Sequence, residues 1–319
     1  MIEKNTVLVL GAGASVDYGY PTGRKLLDNI IDKIDIDKGP RFYNDLIRFF
    51  GIKDRETILE FHEALSLAGK PSIDAFLEHR PIYIEIGKLL IALELIACED
   101  NLLLLKPKNK NASWYESLYN KMNAPKKSFS DNRLSMITFN YDRSLEHYLF
   151  TAIKNTYGII DDKECAEIVR SIPILHIYGR LDELPWENER GRLYGKKATP
   201  DQIKKACDSI SILSEDKERS MTFAHAFSLL ENAQVVYFLG FGYHEMNLKR
   251  LNLGKLKKYI NKNLPDAPQD LFKRIISGTT LGLGKSKIKS IPIDWPCMEL
   301  PLEEVDIIKF LKDYAPINW

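Results

Sequence analysis

The sequence contains only four cysteines, and no two of them form a metal-binding pair. Cys98, Cys165, Cys207 and Cys297 lie far apart, without any C-x-x-C pattern. This spacing excludes a zinc site built from two pairs of thiolates. Isolated thiols, together with the lack of a secretory signal pattern in the first residues, predict a cytoplasmic protein.

Two further absences narrow the possible functions. The 45 Lys and Arg residues are balanced by 44 Asp and Glu residues, so the charge does not imply direct nucleic-acid binding. The longest apolar stretch, residues 82–98, is interrupted by Glu85, Lys88 and Glu94. It is therefore not expected to cross a membrane. A hydrophobic content of 45% is nevertheless ample for the core of a globular protein.

A short apolar run followed by two glycines opens the chain. Residues 7–10 (VLVL) lack polar alternation, which is typical of a buried strand in a parallel sheet. Gly11 and Gly13 permit a tight turn and a close approach to a ligand, and the N–H groups that follow, with Ser15, suit a phosphate. Val16 stands where the usual dinucleotide fingerprint has its third glycine. A plain structural turn is the alternative interpretation.

Several apolar segments resemble this first one in ending at a turn of small or polar residues. The predicted strands are residues 7–10, 134–138, 173–177 and 234–239, with two further candidates at 275–283 and 287–293. Repeated strand, turn and helix predict an α/β fold with a Rossmann-like, doubly wound parallel sheet.

Helical patterns fill the rest of the chain. We predict helices over residues 26–34, 144–153, 201–214, 218–231 and 302–314, and a basic helix that runs to about residue 261. Residues 41–122 form a predicted insertion of three or four helices, which includes an apolar stripe from Ile82 to Ile96. We interpret residues 1–319 as a single domain with this insertion and a C-terminal strand and helix segment at about 273–319.

In a doubly wound sheet, ligands bind outside the carboxyl ends of the strands. Asn140 and Asp142 follow the second predicted strand, where they either cap the next helix or hold a ribose hydroxyl, a water or an amide-bearing ligand. His176 lies in the third predicted strand and is either a core histidine or a base near neutral pH. The other five histidines show no metal-ligand spacing.

Three ordered motifs resemble those of the sirtuin-like NAD-consuming family. Residues 11–15 (GAGAS), followed by Gly19, Pro21 and Arg24, resemble its opening motif. Residues 138–142 (TFNYD) are similar to the Thr-x-Asn-x-Asp motif of its bacterial antiviral-defence branch, and residues 240–243 (GFGY) resemble its later glycine turn. The resemblance spans about residues 5–295.

The resemblance implies a role for each matched residue in binding or cleaving NAD. Asp142 would hold the nicotinamide carboxamide, Asn140 would position water or a ribose hydroxyl, and His176 would accept a proton. The pyrophosphate would contact Gly11, Ala12, Gly13 and Ser15. Arg24 would add charge or gate the site, and Gly240 and Tyr243 would border the adenosine ribose. The remaining residues assigned to the nucleotide site are Pro21, Thr138, Tyr178 and Gly242.

Two departures from the family pattern matter for activity. Sirtuin deacetylases carry two C-x-x-C pairs for zinc, which this chain lacks, so we expect NAD as substrate, no zinc and no deacetylation. The family histidine usually directly precedes a glycine, whereas Tyr178 precedes Gly179 here. His176 lies two residues earlier and is expected on the same face of the strand. Either His176 serves as the base, or activity is weakened or lost.

The resemblance thus predicts an NAD hydrolase that depletes NAD as an antiphage effector. A catalytically silent NAD- or ADP-ribose-binding subunit, and an enzyme that makes a cyclic or transferred ADP-ribose, are the alternatives. Because the sirtuin-like region uses almost the whole chain, we expect control by homo-oligomerisation or by a separately encoded sensor or activator. The helical insertion and the C-terminal region are the expected contact surfaces.

Overall fold

A computed structural model describes most of the chain. The described residues are 1–35, 40–106, 113–212, 216–251, 275–291 and 298–315. Most of the basic helix predicted to reach residue 261 lies outside them. Among the described helices, none combines the length and apolar character that a membrane span requires.

The described strands form one six-stranded sheet in which every neighbouring pair is parallel. The strands are Thr6–Leu10 (β1), Leu134–Thr138 (β2), Ile174–His176 (β3), Val235–Leu239 (β4), Ile275–Gly278 (β5) and Met298–Glu299 (β6). Their spatial order is β3-β2-β1-β4-β5-β6. This is the strand order of the Rossmann fold, so the predicted α/β class is confirmed.

Helices connect and flank these strands. The α-helices are Gly23–Lys33 (α1), Pro40–Phe50 (α2), Arg55–Leu67 (α3), Ile73–Leu77 (α4), Ile84–Ile96 (α5), Asn101–Leu105 (α6), Trp114–Lys121 (α7), Ser144–Tyr157 (α8), Asp162–Arg170 (α9), Pro200–Ser209 (α10), Asp216–Asn232 (α11), Glu245–Arg250 (α12), Lys285–Ser290 (α13) and Ile307–Lys309 (α14). Turns of 3₁₀-helix span Ala12–Tyr18, Pro81–Tyr83 and Lys126–Asp131, and a π-helical turn spans Phe310–Tyr314.

The centre of the sheet is apolar on both faces. Every residue of β1 and of β4 is buried, as expected for strands covered by helices on both sides. Leu10 pairs with Thr138 of β2 on one side and with Leu239 of β4 on the other. This register places the carboxyl ends of the three strands at one level, so the turns that follow them meet.

The helical insertion contains more helices than its sequence pattern predicted. Its described residues, 40–106 and 113–121, include six α-helices, α2 to α7, where three or four were expected. The central one, α5, is buried on most of its surface because it packs against α1, α4 and α10. The predicted apolar stripe is wrong at its first residue: Ile82 is 77% exposed and lies in the 3₁₀ turn that begins at Pro81.

The structure also differs from the predictions near the C-terminus. A strand was predicted at 287–293, but Lys285–Ser290 is helical, and residues 292–297 lie outside the described residues. The buried residues Ile288 and Ile291 are three positions apart, a spacing that a helix satisfies and a strand does not. The last helical segment begins only at Ile307, where the Asp306 side chain accepts a hydrogen bond from the N–H of Lys309 at 2.7 Å.

Candidate functional site

The glycine turn after β1 packs directly against the turn after β4. The N–H of Gly11 donates to the carbonyl of Leu239 at 3.0 Å, and that of Gly13 donates to the carbonyl of Gly240 at 2.9 Å. A Cβ atom on Gly11 would lie 2.6 Å from the carbonyl oxygen of Gly240, and one on Gly13 would lie 2.8 Å from its Cα atom. These glycines are therefore required for the contact between the two turns.

This packing corrects one expectation about the turn. The N–H groups were expected to be available to a phosphate, yet those of Gly11 and Gly13 bond to the β4 side, and that of Ala14 donates to the carbonyl of Gly11 at 2.9 Å. Ala12 and Gly13 are half-buried, whereas Ser15 is buried. In this conformation the three N–H groups are occupied by backbone carbonyls.

Side chains from the ends of β1 and β2 form one hydrogen-bonded network. The Ser15 hydroxyl donates to Oδ2 of Asp142 at 2.7 Å. The amide Nδ2 of Asn140 donates to Oγ of Ser15 at 3.1 Å and to the carbonyl of Gly11 at 3.0 Å. The hydroxyl Oγ1 of Thr138 accepts from the N–H of Asn140 at 3.1 Å. The structure therefore brings together five of the predicted site residues, the fifth being Gly11 through its carbonyl group.

Asp142 follows the first of its two predicted interpretations, in that it bonds to the start of the next helix. Its Oδ1 accepts the N–H of Ser144 at 3.1 Å and the Ser144 hydroxyl, so it caps the start of α8. Burial raises the pKa of the Asp142 carboxyl, the hydrogen bonds from Ser144 and Ser15 oppose that shift, and the charge of Glu146 adds to it. The carboxyl group is thus a buried acceptor at the centre of the network.

Two aromatic residues of the insertion support this network and were not predicted. The Tyr115 and Ser144 hydroxyls are 2.8 Å apart, and Trp114 Nε1 donates to the carbonyl of Ala14 at 2.7 Å. Both residues lie at the start of α7, which Ser113 caps. The sequence Ser-Trp-Tyr indicates a helix start with two aromatic residues, but it does not indicate that they contact the site. The insertion therefore covers and shapes the carboxyl edge of the sheet.

His176 lies at the same edge but is fully engaged by other groups. Its Nδ1 is 2.9 Å from the carbonyl oxygen of Asn140, and its Nε2 is 2.5 Å from Oε1 of Glu146. Burial acts to raise the pKa of Glu146, but the charge and hydrogen bond of His176 and the charge of Arg180 outweigh it and lower the pKa. Glu146 was missed, although it lies four residues after Asp142, in the first turn of α8.

Tyr178 does not share the environment of His176. The expectation that both side chains lie on one face of a strand is wrong, because β3 ends at His176 and the chain then turns. The Tyr178 hydroxyl donates to Oδ1 of Asn247 at 2.8 Å and accepts from Nη1 of Arg250 at 3.0 Å. Burial raises the pKa of Tyr178 to about 12. Tyr178 therefore connects the end of the sheet to α12.

The remaining predicted site residues lie outside the hydrogen-bonded network, either near α1 or in the turn after β4. The Arg24 side chain is 66% exposed on α1 and pairs with Asp28 at 3.0 Å, so it does not join the network. Pro21 is half-buried just before α1. Gly240, Gly242 and Tyr243 lie in the turn after β4; the Gly240 N–H donates to Oγ1 of Thr279 at 2.8 Å, and Tyr243 is buried.

A small cavity lies between the β1, β2 and β3 ends. Its volume is about 10 Å³, which is close to the minimum for a single water molecule. The lining residues that carry polar side-chain groups are Ser15, Tyr115, Thr138, Asn140, Asp142, Glu146 and His176. The Oδ1 atom of Asn140 is buried and has no hydrogen-bond partner among the described residues. The cavity can hold one small polar group, and an unpaired acceptor lies at its wall.

In the described part of the chain, no group of three or more His, Cys, Asp or Glu side chains is placed to bind a metal ion. No protein-family model matches this chain, and no curated protein matches it significantly in sequence. Arguments about function therefore depend on the residues of this edge.

Proposed function

We propose that this protein binds NAD at the carboxyl edge of its sheet and hydrolyses the nicotinamide–ribose bond. The observation that carries the proposal is the network of Ser15, Asn140 and Asp142 across the ends of β1 and β2. It lies beside the β1–β4 contact, where the strand order reverses and where open α/β sheets bind nucleotides. The motif resemblance adds NAD as the nucleotide.

Cleavage of the nicotinamide–ribose bond does not require a general acid. Nicotinamide leaves a pyridinium as a neutral molecule, so the protein must stabilise the positive charge that develops on the ribose and direct a water to it. We assign the positioning of that water to the unpaired Oδ1 of Asn140 and the binding of the nicotinamide carboxamide to the carboxyl group of Asp142. The bond between the ribose carbon and the nicotinamide nitrogen breaks and leaves its electron pair on nicotinamide. The water oxygen forms the new bond to that carbon, and the proton it loses passes to bulk water.

Access to the site requires a conformational change under this proposal. A dinucleotide is far larger than a cavity of about 10 Å³, so the Gly13–Gly240 contact or the insertion must move for NAD to enter. A site that opens only transiently in the free protein suits an effector whose slow basal turnover rises when a partner or oligomerisation opens it. This fits the proposed role as an antiphage effector that depletes NAD.

A catalytically silent NAD- or ADP-ribose-binding subunit is the second candidate. It is favoured by His176, since both ring nitrogens face acceptors and neither is available as a base. It is also favoured by Tyr178, whose hydroxyl bonds to α12 instead of the network. An enzyme that cyclises or transfers ADP-ribose would use the same residues and differs only in its product.

The test is to incubate the purified full chain with NAD and to separate the products by chromatography. Hydrolysis releases nicotinamide and ADP-ribose in equal amounts, whereas cyclisation or transfer gives a different second product. Asn140→Ala should lower turnover by about 100-fold or more. Asn155→Ala, at an exposed position on α8, is the matched control and should not change it.

The outcomes separate the candidates. Equal turnover by the Asn140→Ala and Asn155→Ala variants would remove Asn140 from the mechanism. An inert protein whose melting temperature nevertheless rises with NAD concentration would select the silent binding subunit. Neither turnover nor a thermal shift would reject both functions.

A further inference from the structure

The surroundings of His176 determine how many protons its ring must carry. One ring nitrogen faces a backbone carbonyl, that of Asn140, at 2.9 Å. The other faces a carboxylate oxygen of Glu146 at 2.5 Å. A carbonyl oxygen can only accept, and an ionised carboxylate can only accept as well. A neutral imidazole has one N–H and would leave one of these short contacts without a proton.

The extra proton belongs on the ring and not on the carboxyl group. A cation lies beside Glu146: Arg180 Nη1 is 3.6 Å from its Oε1. Arg180 in turn pairs with Glu187 at 2.8 Å, so a chain of alternating charges leads outward from the pair. The positive charge of Arg180 favours the ionised form of the Glu146 carboxyl group, so the proton shared with the ring belongs on His176.

No other titratable group of the network is free to serve as a hydrogen-bond partner for His176 in place of Glu146. Asp142, the other acid at the cavity, has both oxygens engaged by Ser15 and Ser144. The side chains of His176 and Glu146 are only 7% and 5% exposed, so solvent provides little alternative hydrogen bonding. In a site this dry, a charged pair that satisfies both ring nitrogens is the stable arrangement.

We propose that His176 is a positioning residue: it acts as an imidazolium, paired with Glu146, that clamps the backbone carbonyl of Asn140. Together with the bonds from the Asn140 amide to Gly11 and Ser15, this clamp holds the unpaired Oδ1 of Asn140 at the cavity. Glu146 is a second positioning residue that maintains the charge on the ring. The link to turnover rests on the proposed function, whereas the protonation of the ring does not.

The direct test measures the ring protonation by NMR in the absence of NAD. The full chain is labelled with ¹⁵N-histidine, its six histidines are resolved by long-range ¹H–¹⁵N correlation, and His176→Gln identifies the His176 signals. His147 is an internal neutral reference, because burial lowers its pKa to about 4 and its Nε2 contacts Asn101. At pH 7 both nitrogens of His176 should show the protonated signature, and only one nitrogen of His147 should.

A neutral His176 ring at pH 7 would overturn the proposal. Glu146→Gln provides a second criterion: without the carboxylate acceptor, the His176 ring at pH 7 should carry a proton on only one nitrogen. A ring that keeps protons on both nitrogens in this variant would also overturn the proposal. Because neither measurement uses NAD, a failure here is distinguishable from a failure of the proposed function.

Where turnover is measurable, its pH profile distinguishes two roles of His176, a positioning clamp and a base, because the two roles predict opposite pH dependences. If His176 clamps Asn140 in its charged form, activity falls on the alkaline side, and Glu146→Gln moves that fall to lower pH. If His176 is a base, activity requires the neutral ring, and Glu146→Gln extends activity on the acid side. His225→Gln, at an exposed position of α11, is the control and should leave the profile unchanged.

Discussion

The Ser15 hydroxyl donates a hydrogen bond to Oδ2 of Asp142 at 2.7 Å and thereby joins two strand ends that are 127 residues apart in the chain. The parallel register of β1 and β2, with Leu10 opposite Thr138, brings the two turns to the same level. Both side chains are buried, so the bond has no solvent competitor. This hydrogen bond directly connects a side chain of the glycine turn to the buried carboxyl group of Asp142.

Ser15→Ala should destabilise the protein, because it removes a donor from buried Asp142 and an acceptor from Asn140. We expect the free energy of unfolding to fall by about 1–3 kcal/mol. Urea denaturation followed by circular dichroism measures it. Ser228→Ala, at an exposed position, should change the value by less than about 0.5 kcal/mol. Similar values for the two variants would mean that the bond contributes nothing to stability.

Gly11→Ala should separate the turns after β1 and β4. The new methyl group would lie 2.6 Å from the carbonyl oxygen of Gly240, and backbone cannot move aside as a flexible side chain would. We expect a loss of about 1–3 kcal/mol in unfolding free energy. Gly284→Ala is the matched control, since a methyl group there meets no atom within 4 Å. A tolerated Gly11→Ala would refute the steric argument.

A buried charged triad attaches the segment between β3 and α10 to the insertion. Arg143 Nε and Arg192 Nη2 bond to Oε1 of Glu99 at 2.9 and 2.6 Å, and the three side chains are at most 1% exposed. Arg143 also donates to the carbonyls of Glu183 and Leu193 at 2.8 and 2.9 Å. Arg143 directly follows Asp142, so the triad holds this segment against the proposed site.

Glu99→Gln should therefore be strongly destabilising, because it leaves two buried guanidinium groups without a counter-charge. We expect a loss of about 3–5 kcal/mol, which chemical denaturation measures. Lys196→Met is the control: its pair with Asp100 is largely exposed, and such pairs contribute about 0–1 kcal/mol. If both variants lost less than about 1 kcal/mol, the triad would not be a determinant of stability.

The stability of the fold should decrease between pH 6.5 and about pH 4 because of His147. Burial, with the charge of Arg143, lowers the pKa of this ring from 6.5 to about 4 in the folded state. In that window the unfolded chain binds a proton that the folded chain does not, so the free energy of unfolding falls as pH falls, by at most about 1.4 kcal/mol per pH unit.

The pH effect is measured by urea unfolding at several pH values. His147→Phe should flatten the slope between pH 6.5 and 4, since the ring can still stack on Tyr194 without a titrating group. His225→Phe, at an exposed position, should leave the slope unchanged. A wild-type slope that survives in the His147→Phe variant would assign the effect to other groups.

Local patterns determined much of this architecture. The apolar runs that became β1, β2, β3 and β4 predicted the parallel sheet, because strands covered on both faces carry no polar alternation. The polar and glycine residues after each run predicted which edge carries the candidate site, since parallel strands share a carboxyl edge. The strand predicted at 287–293 was wrong because a short run of Lys and Ile fits both the alternation of a strand and the spacing of a helix, and Lys285–Ser290 is helical.

Tertiary structure alone decided what each candidate side chain contacts. That Asp142 meets Ser15 could be expected from the shared edge, but the pairing of His176 with Glu146 depends on how α8 returns past the end of β3. That β3 stops at His176, and sends Tyr178 towards α12, also depends on packing. Sequence periodicity reports which face of an element is apolar, whereas the distances between groups on different elements follow from how those faces are packed together.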